Sequence, residues 1–109
     1  MEQSLLVLVA DTRIEEPVLD WLLDYREDIL FTSDLVDCHG VEHAALSVRE
    51  QVSGRQPRLM VQLRVPLEEA RRICSGLRAA FPKAGIHYWI VPVIEQGRLD
   101  AADEPPPGT

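Results

Sequence analysis

The chain has 109 residues, a net charge of −7, and 46% apolar against 27% charged residues; this is the composition of one soluble globular domain, with no room for a second. A field of that sign repels phosphate backbones and anionic bilayers, so no nucleic-acid partner is expected. Charge is uneven: residues 1–50 hold 12 acidic and 3 basic side chains and residues 51–109 hold 6 and 8, which assigns any anion site to the second half. The chain starts with an acidic Met1-Glu2-Gln3-Ser4 where a secretory signal is basic, and it has two cysteines, Cys38 and Cys74, so the expected address is the cytoplasm.

Leu5 to Ala10 is apolar at every position and far shorter than the roughly 20 residues that span a bilayer, which predicts a strand covered on both faces. Thr12-Arg13-Ile14-Glu15 has the form of a capping box, and Ile14, Val18, Trp21, Leu22 and Tyr25 then share one helical face. Pro17 lies deep for that cap, so the helix start stays open between Thr12 and Glu16. Leu30 to Cys38 favours a second, half-exposed strand. Leu59, Val61, Leu63 and Val65 alternate with Arg58, Met60, Gln62 and Arg64, the period of a strand with one apolar face. After Pro66, the positions Leu67, Ala70, Ile73, Cys74, Leu77 and Phe81 trace a second helix, with Glu68 and Arg72 spaced as an ion pair on its wet side. Ile86 to Glu95 is the last strand, which Pro92 assigns to a sheet edge.

The order β-α-β-β-α-β predicts an α+β, ferredoxin-like fold: a four-stranded antiparallel sheet with two helices on one face. Residues 1–97 form this single domain and 98–109, acidic and proline-rich, a disordered tail. Strands 1 and 4 are apolar on both faces, so the second sheet face needs a cover, and symmetric self-association supplies one.

The connection His39 to Pro57 is far longer than the two to five residues or so that a hairpin needs, and long ordered loops are where sites concentrate. This loop, closing on Gly54-Arg55, the run Glu50-Gln51-Val52-Ser53-Gly54-Arg55, the pair Tyr88-Trp89 and the ending Ile90-Val91-Pro92-Val93-Ile94-Glu95 together resemble the PII-like superfamily, related in fold to PII signalling and CutA proteins, and within it an uncharacterised proteobacterial branch. The resemblance spans roughly residues 4–99. It implies a homotrimer that binds a small effector in clefts between subunits and uses the long loop to touch a partner. Genes of that branch often lie beside heavy-metal efflux transporters, which implies a membrane transporter as the partner. Where PII proteins carry a Gly-rich, Lys-containing phosphate loop, this chain has Pro82-Lys83-Ala84-Gly85-Ile86-His87, with His87 near the lysine position. ATP binding is therefore not carried over, and the effector is not named.

Two constellations carry chemistry. Arg49, Arg55 and Arg58, with Glu50, Gln51, Gly54 and His87, suit a phosphate or carboxylate effector, because guanidinium forks bind such groups and Gly54 lets backbone N–H groups approach; Glu42 and Glu50 are the acidic residues able to neutralise them. Cys38, His39 and His43 are a ligand set soft enough for copper, zinc or nickel, although adjacent strand residues point to opposite faces and share an ion only if the strand ends between them. No nucleophile elbow, HExxH or Walker-type loop occurs in the sequence, so no enzyme is expected. Strand 3 lacks RNA-stacking aromatics, and the first loop lacks the CxxC of heavy-metal-associated domains. The expected function is a non-enzymatic regulator; a soft-metal buffer or carrier using Cys38, His39, His43 and His87 is the alternative.

Overall fold

The computed structural model describes residues 2–40 and 55–100. Four strands, β1 (Gln3–Asp11), β2 (Phe31–His39), β3 (Arg55–Pro66) and β4 (His87–Pro92), form one sheet in the order β2-β3-β1-β4, with every pairing antiparallel. Helices α1 (Glu15–Tyr25) and α2 (Leu67–Ala80) pack on one face of it. This is the ferredoxin-like arrangement the element order predicts.

The period of two decides which face is buried. Leu6 and Leu8 of β1, with Leu59, Val61, Leu63 and Val65 of β3, meet Val18 and Leu22 of α1 and Ala70, Ile73 and Leu77 of α2 in one core cluster. Each of the valine, leucine and isoleucine side chains among them contributes about 1.5–3 kcal/mol by leaving water. Val7 and Val9 point to the other face, called the helix-free face because among the described residues no helix covers it, yet they are only 4% and 8% exposed. Their register partners explain this: Val7 lies between Gln62 and Trp89, and Val9 between Met60 and His87, all larger side chains.

Several boundaries differ from the sequence reading. A 3-10 turn over Thr12–Ile14 precedes α1, and its cap is Asp11, whose carboxylate accepts from the Arg13 backbone N–H at 2.8 Å; Thr12 does not form the expected capping box. Pro17 is then the third residue of α1, where a missing N–H breaks no helical bond. Glu68 and Arg72 form no ion pair. The contact that matters on α2 is Glu69 Oε1 to Arg26 Nη1 at 2.6 Å, which ties its first turn to the end of α1. β4 is shorter than Ile86 to Glu95: it ends at Pro92, and because among the described residues it pairs with β1 alone it is an edge strand of the sheet, as the proline requires. One more bond, Val93 N–H to the Gln3 carbonyl at 3.1 Å, follows it before the chain leaves the sheet.

β2 and β3 run further toward their connection than expected, so the connection between them narrows to residues 40–54. Residues 41–54 and 101–109 lie outside the described residues, and with them the expectations about order in the loop and in most of the tail. Among the described residues, no helix is long and apolar enough to cross a membrane.

Candidate functional site

The sheet topology brings the end of β1, the end of β2 and the starts of β3 and β4 to the same end of the molecule, where the 40–54 connection departs. Strand alternation then sorts the polar residues there by face. Asp11, Arg58, Gln56, Cys38 and His87 share the helix-free face: Asp11 is opposite Arg58, Arg58 opposite Val36, Cys38 opposite Gln56, and His87 opposite Val9.

Asp11 is the hub. Its carboxylate accepts from Arg13 Nε at 3.0 Å and from Nη2 at 2.6 Å, and it faces Arg58 Nη1 at 3.3 Å. The Arg13 hydrogen bonds above all, supported by the Arg13 and Arg58 charges and opposed by partial burial, hold its carboxyl far below the usual aspartate range. Arg58 also donates through Nη2 to Gln56 Oε1 at 2.5 Å. Gln56 is only 7% exposed, so Arg58 is fixed between a buried amide and a carboxylate. Two guanidinium groups thus meet one carboxylate at this end of the face, with exposed His87 on the same face.

Of the residues nominated from sequence, the described ones divide. Arg58 and His87 are on the helix-free face. Arg55 is on the opposite face, with Nη1 3.4 Å from Asp37 Oδ2, so Arg55 and Arg58 do not form one cluster. Three positions apart on a regular strand means opposite faces. The same geometry corrects the metal set: β2 continues unbroken through His39, so Cys38 points to the helix-free face beside Gln56, and His39 to the other beside Arg55. These two side chains do not converge on one ion, and among the described residues no three His, Cys, Asp or Glu side chains do. Arg49, Glu50, Gln51, Gly54 and His43 lie outside the described residues. Asp11, Arg13 and Gln56 were not nominated from sequence. The available signal was a lone carboxylate closing a fully apolar strand, a position that β1–β3 pairing puts against Arg58.

A sequence model of the DUF3240 family, described as proteins of unknown function, matches residues 1–100. No curated protein sequence matches. Among solved structures, a DUF3240 family protein from Shewanella baltica superposes with a TM-score of 0.69 at 20% identity, covering 89% of this chain and 96% of its own. CPII, a nitrogen regulatory PII-like protein from Thiomonas intermedia solved with ADP, AMP and bicarbonate, gives 0.64 at 17% identity, covering 90% and 96%. CutA from Synechococcus elongatus gives 0.61 at 10% identity, covering 84% and 77%. At these identities the likeness establishes the fold.

Proposed function

The chain belongs to the DUF3240 family and shares its fold with PII-like proteins, and from that premise we propose that it is a non-enzymatic regulator that binds a small anion where the long loop meets the helix-free sheet face. The observation that carries this reading is the Arg58 guanidinium, fixed by Asp11 and Gln56 at the root of the 40–54 connection. A preorganised guanidinium loses little entropy on taking a ligand oxygen. One fixed guanidinium suits a small anion better than a triphosphate, in keeping with the sequence before β4, which is not the Gly-rich, Lys-containing phosphate loop of PII proteins. Bicarbonate and adenine nucleotides are the first ligands to try, since CPII was solved with both.

The helix-free face supports assembly. Trp89 and Val91 remain 45% and 38% exposed beside Leu5 and Val7, an apolar surface that a homotrimer buries. The effector then binds in a cleft to which a neighbouring copy contributes, and residues 40–54 report its presence to a partner, for which a heavy-metal efflux transporter is the candidate the family resemblance implies. The soft-metal reading loses its starting pair, because Cys38 and His39 face opposite ways.

Calorimetry with bicarbonate, AMP, ADP and ATP on the wild type and on Arg58→Gln tests this reading. The expected result is saturable binding of one of them, weakened about tenfold or more in the variant, as for a lost charge-assisted hydrogen bond. Binding of zinc, copper or nickel alone, unaffected by Arg58→Gln and removed by Cys38→Ser with His43→Ala, replaces the regulator by the metal carrier.

A further inference from the structure

A cavity lies on the helix side of the sheet, on the face opposite the Asp11 cluster. It is half open, about 170 Å³ in volume, and lies between the C-terminal end of α2, the turn after it and the first residues of β4. Its lining is divided. Leu8 and Leu77, 2% and 3% exposed, belong to the floor with Phe81 and Ile86, whereas Arg78 and Lys83 are exposed lining residues. Neither cation makes an ion pair or hydrogen bond with another described residue.

The turn holding Lys83 is costly as built. The Ala84 N–H donates to the Phe81 carbonyl at 3.3 Å, Pro82 is the second residue, and Lys83, the third, has φ 62°. That is the pattern of a type II turn, whose third position favours glycine. A lysine there accepts backbone strain while placing its ammonium beside the cavity. A purely structural turn has no need of that side chain. Arg78 and Lys83 also lie near the negative end of the α2 dipole, but that end is equivalent to roughly half a charge and they carry two, so the surplus is positive.

We propose that this cavity is a binding site for a small monocarboxylate with a short aliphatic tail, the tail seated on Leu8, Leu77, Phe81 and Ile86 and the carboxylate held by Arg78 and Lys83. The volume matches such a tail, since an engineered cavity of roughly 150 Å³ takes benzene. An apolar floor with a cationic opening selects a ligand having both parts and discriminates against inorganic anions and neutral hydrocarbons. Cys74 lines the same cavity. Burial pushes its thiol up, against the opposing Arg78 charge, so at neutral pH it stays a neutral wall group and provides a reporter of occupancy.

Hexanoate is the probe, with butanoate, hexanol and inorganic phosphate as comparisons, on the full chain. Binding is read by calorimetry and by the rate at which iodoacetamide modifies Cys74, assigned by peptide mass spectrometry. The expected result is saturable hexanoate binding with Kd on the order of 1 mM, the range open to so small a ligand. Saturation should slow Cys74 modification severalfold without slowing that of Cys38. Hexanol and phosphate should bind roughly tenfold more weakly or not at all, and Arg78→Gln with Lys83→Gln should weaken hexanoate about tenfold while leaving the thermal midpoint within a few degrees. Filling the cavity by Cys74→Phe should abolish binding. The proposal is overturned by the absence of saturable binding to the folded wild type, by hexanoate binding that the charge-neutral double variant retains in full, or by binding that leaves Cys74 unprotected. Because Arg58 is not among the residues changed, these outcomes are separate from those for the anion site on the other face.

Discussion

The indole of Trp21 occupies the space in front of Gly76. A Cβ added to that glycine would lie 2.5 Å from Cζ2 and 2.8 Å from Cη2 of the ring, inside any van der Waals separation. The absence of a side chain on α2 is what lets the ring from α1 approach, and the same ring stacks on Tyr25 at 5.4 Å with an interplanar angle of 20°.

Gly76→Ala is therefore expected to destabilise the protein although alanine is the better helix former. Helix propensity favours the change by about 1 kcal/mol, and displacing a packed indole opposes it by roughly 1–3 kcal/mol. The net effect should be a lower urea midpoint, and in the background Trp21→Leu the same substitution should become stabilising. A gain in stability with Trp21 present is the result that contradicts this packing.

Arg26 and Glu69 should not be equivalent when removed. The Glu69 side chain is 12% exposed and has Arg26 as its ion-pair partner, whereas Arg26 is 43% exposed and also reaches Asp28 through Nε at 2.7 Å. Arg26→Ala strands a nearly buried carboxylate and should cost about 2–3 kcal/mol. Glu69→Ala leaves the arginine with Asp28 and water and should cost nearer 1 kcal/mol. Denaturant titrations of the two variants at neutral pH measure the difference, and equal costs contradict the asymmetry.

The charge on Asp11 should show as a pH dependence of stability. Its folded-state carboxyl lies far below the ordinary aspartate value of 3.8, chiefly through the Arg13 hydrogen bonds. For a depressed acid, the stabilisation is complete above the unfolded-state value and is lost as pH falls below it toward the folded one. Asp11→Asn keeps the capping oxygen but exchanges the Oδ2 that meets Arg13 Nη2 and Arg58 Nη1 for an amide donor as it removes the charge, so it should cost about 1 kcal/mol or more at pH 7. The gap to the wild type should be constant from pH 7 to pH 5 and close progressively below pH 4. A gap that widens on acidification would reverse the sign and exclude this network.

The features legible in the sequence were those that burial writes into a period. Leu59 to Val65 alternate because one face of β3 meets the helices, and Leu6 to Ala10 are all apolar because the helices cover one face of β1 while larger cross-strand neighbours, Gln62 and Trp89 beside Val7 and Met60 and His87 beside Val9, cover the other. What the chain order hid was register. Arg49, Arg55 and Arg58 look like a cluster because they are close in sequence, but alternation separates Arg55 from Arg58, and the partner of Arg58 is Asp11, a whole helix and strand away. The cap was misplaced for a smaller reason. Asp11 and Thr12 are adjacent and both accept N–H groups readily, and only the intervening 3-10 turn decides that Asp11 does so.

Tyr88 and Trp89 offer the sharpest test of which sheet face meets another copy. They are neighbours on an edge strand and similarly exposed, at 49% and 45%, so simple surface hydrophobicity treats them alike. Alternation does not: Trp89 lies opposite Val7 on the helix-free face, and Tyr88 opposite Leu8 on the helix side. If the helix-free face is the one a trimer buries, Trp89→Glu places a charge where water is excluded, a penalty of several kcal/mol if the charge finds no partner. It should dissociate the assembly to folded monomers at micromolar concentration. Tyr88→Glu should leave the assembly intact, because its side chain points away from that face. Light scattering gives the mass of each variant and circular dichroism confirms that both are folded. A wild type that is already monomeric, or dissociation by Tyr88→Glu in place of Trp89→Glu, removes the trimer built on this face and the intersubunit cleft with it.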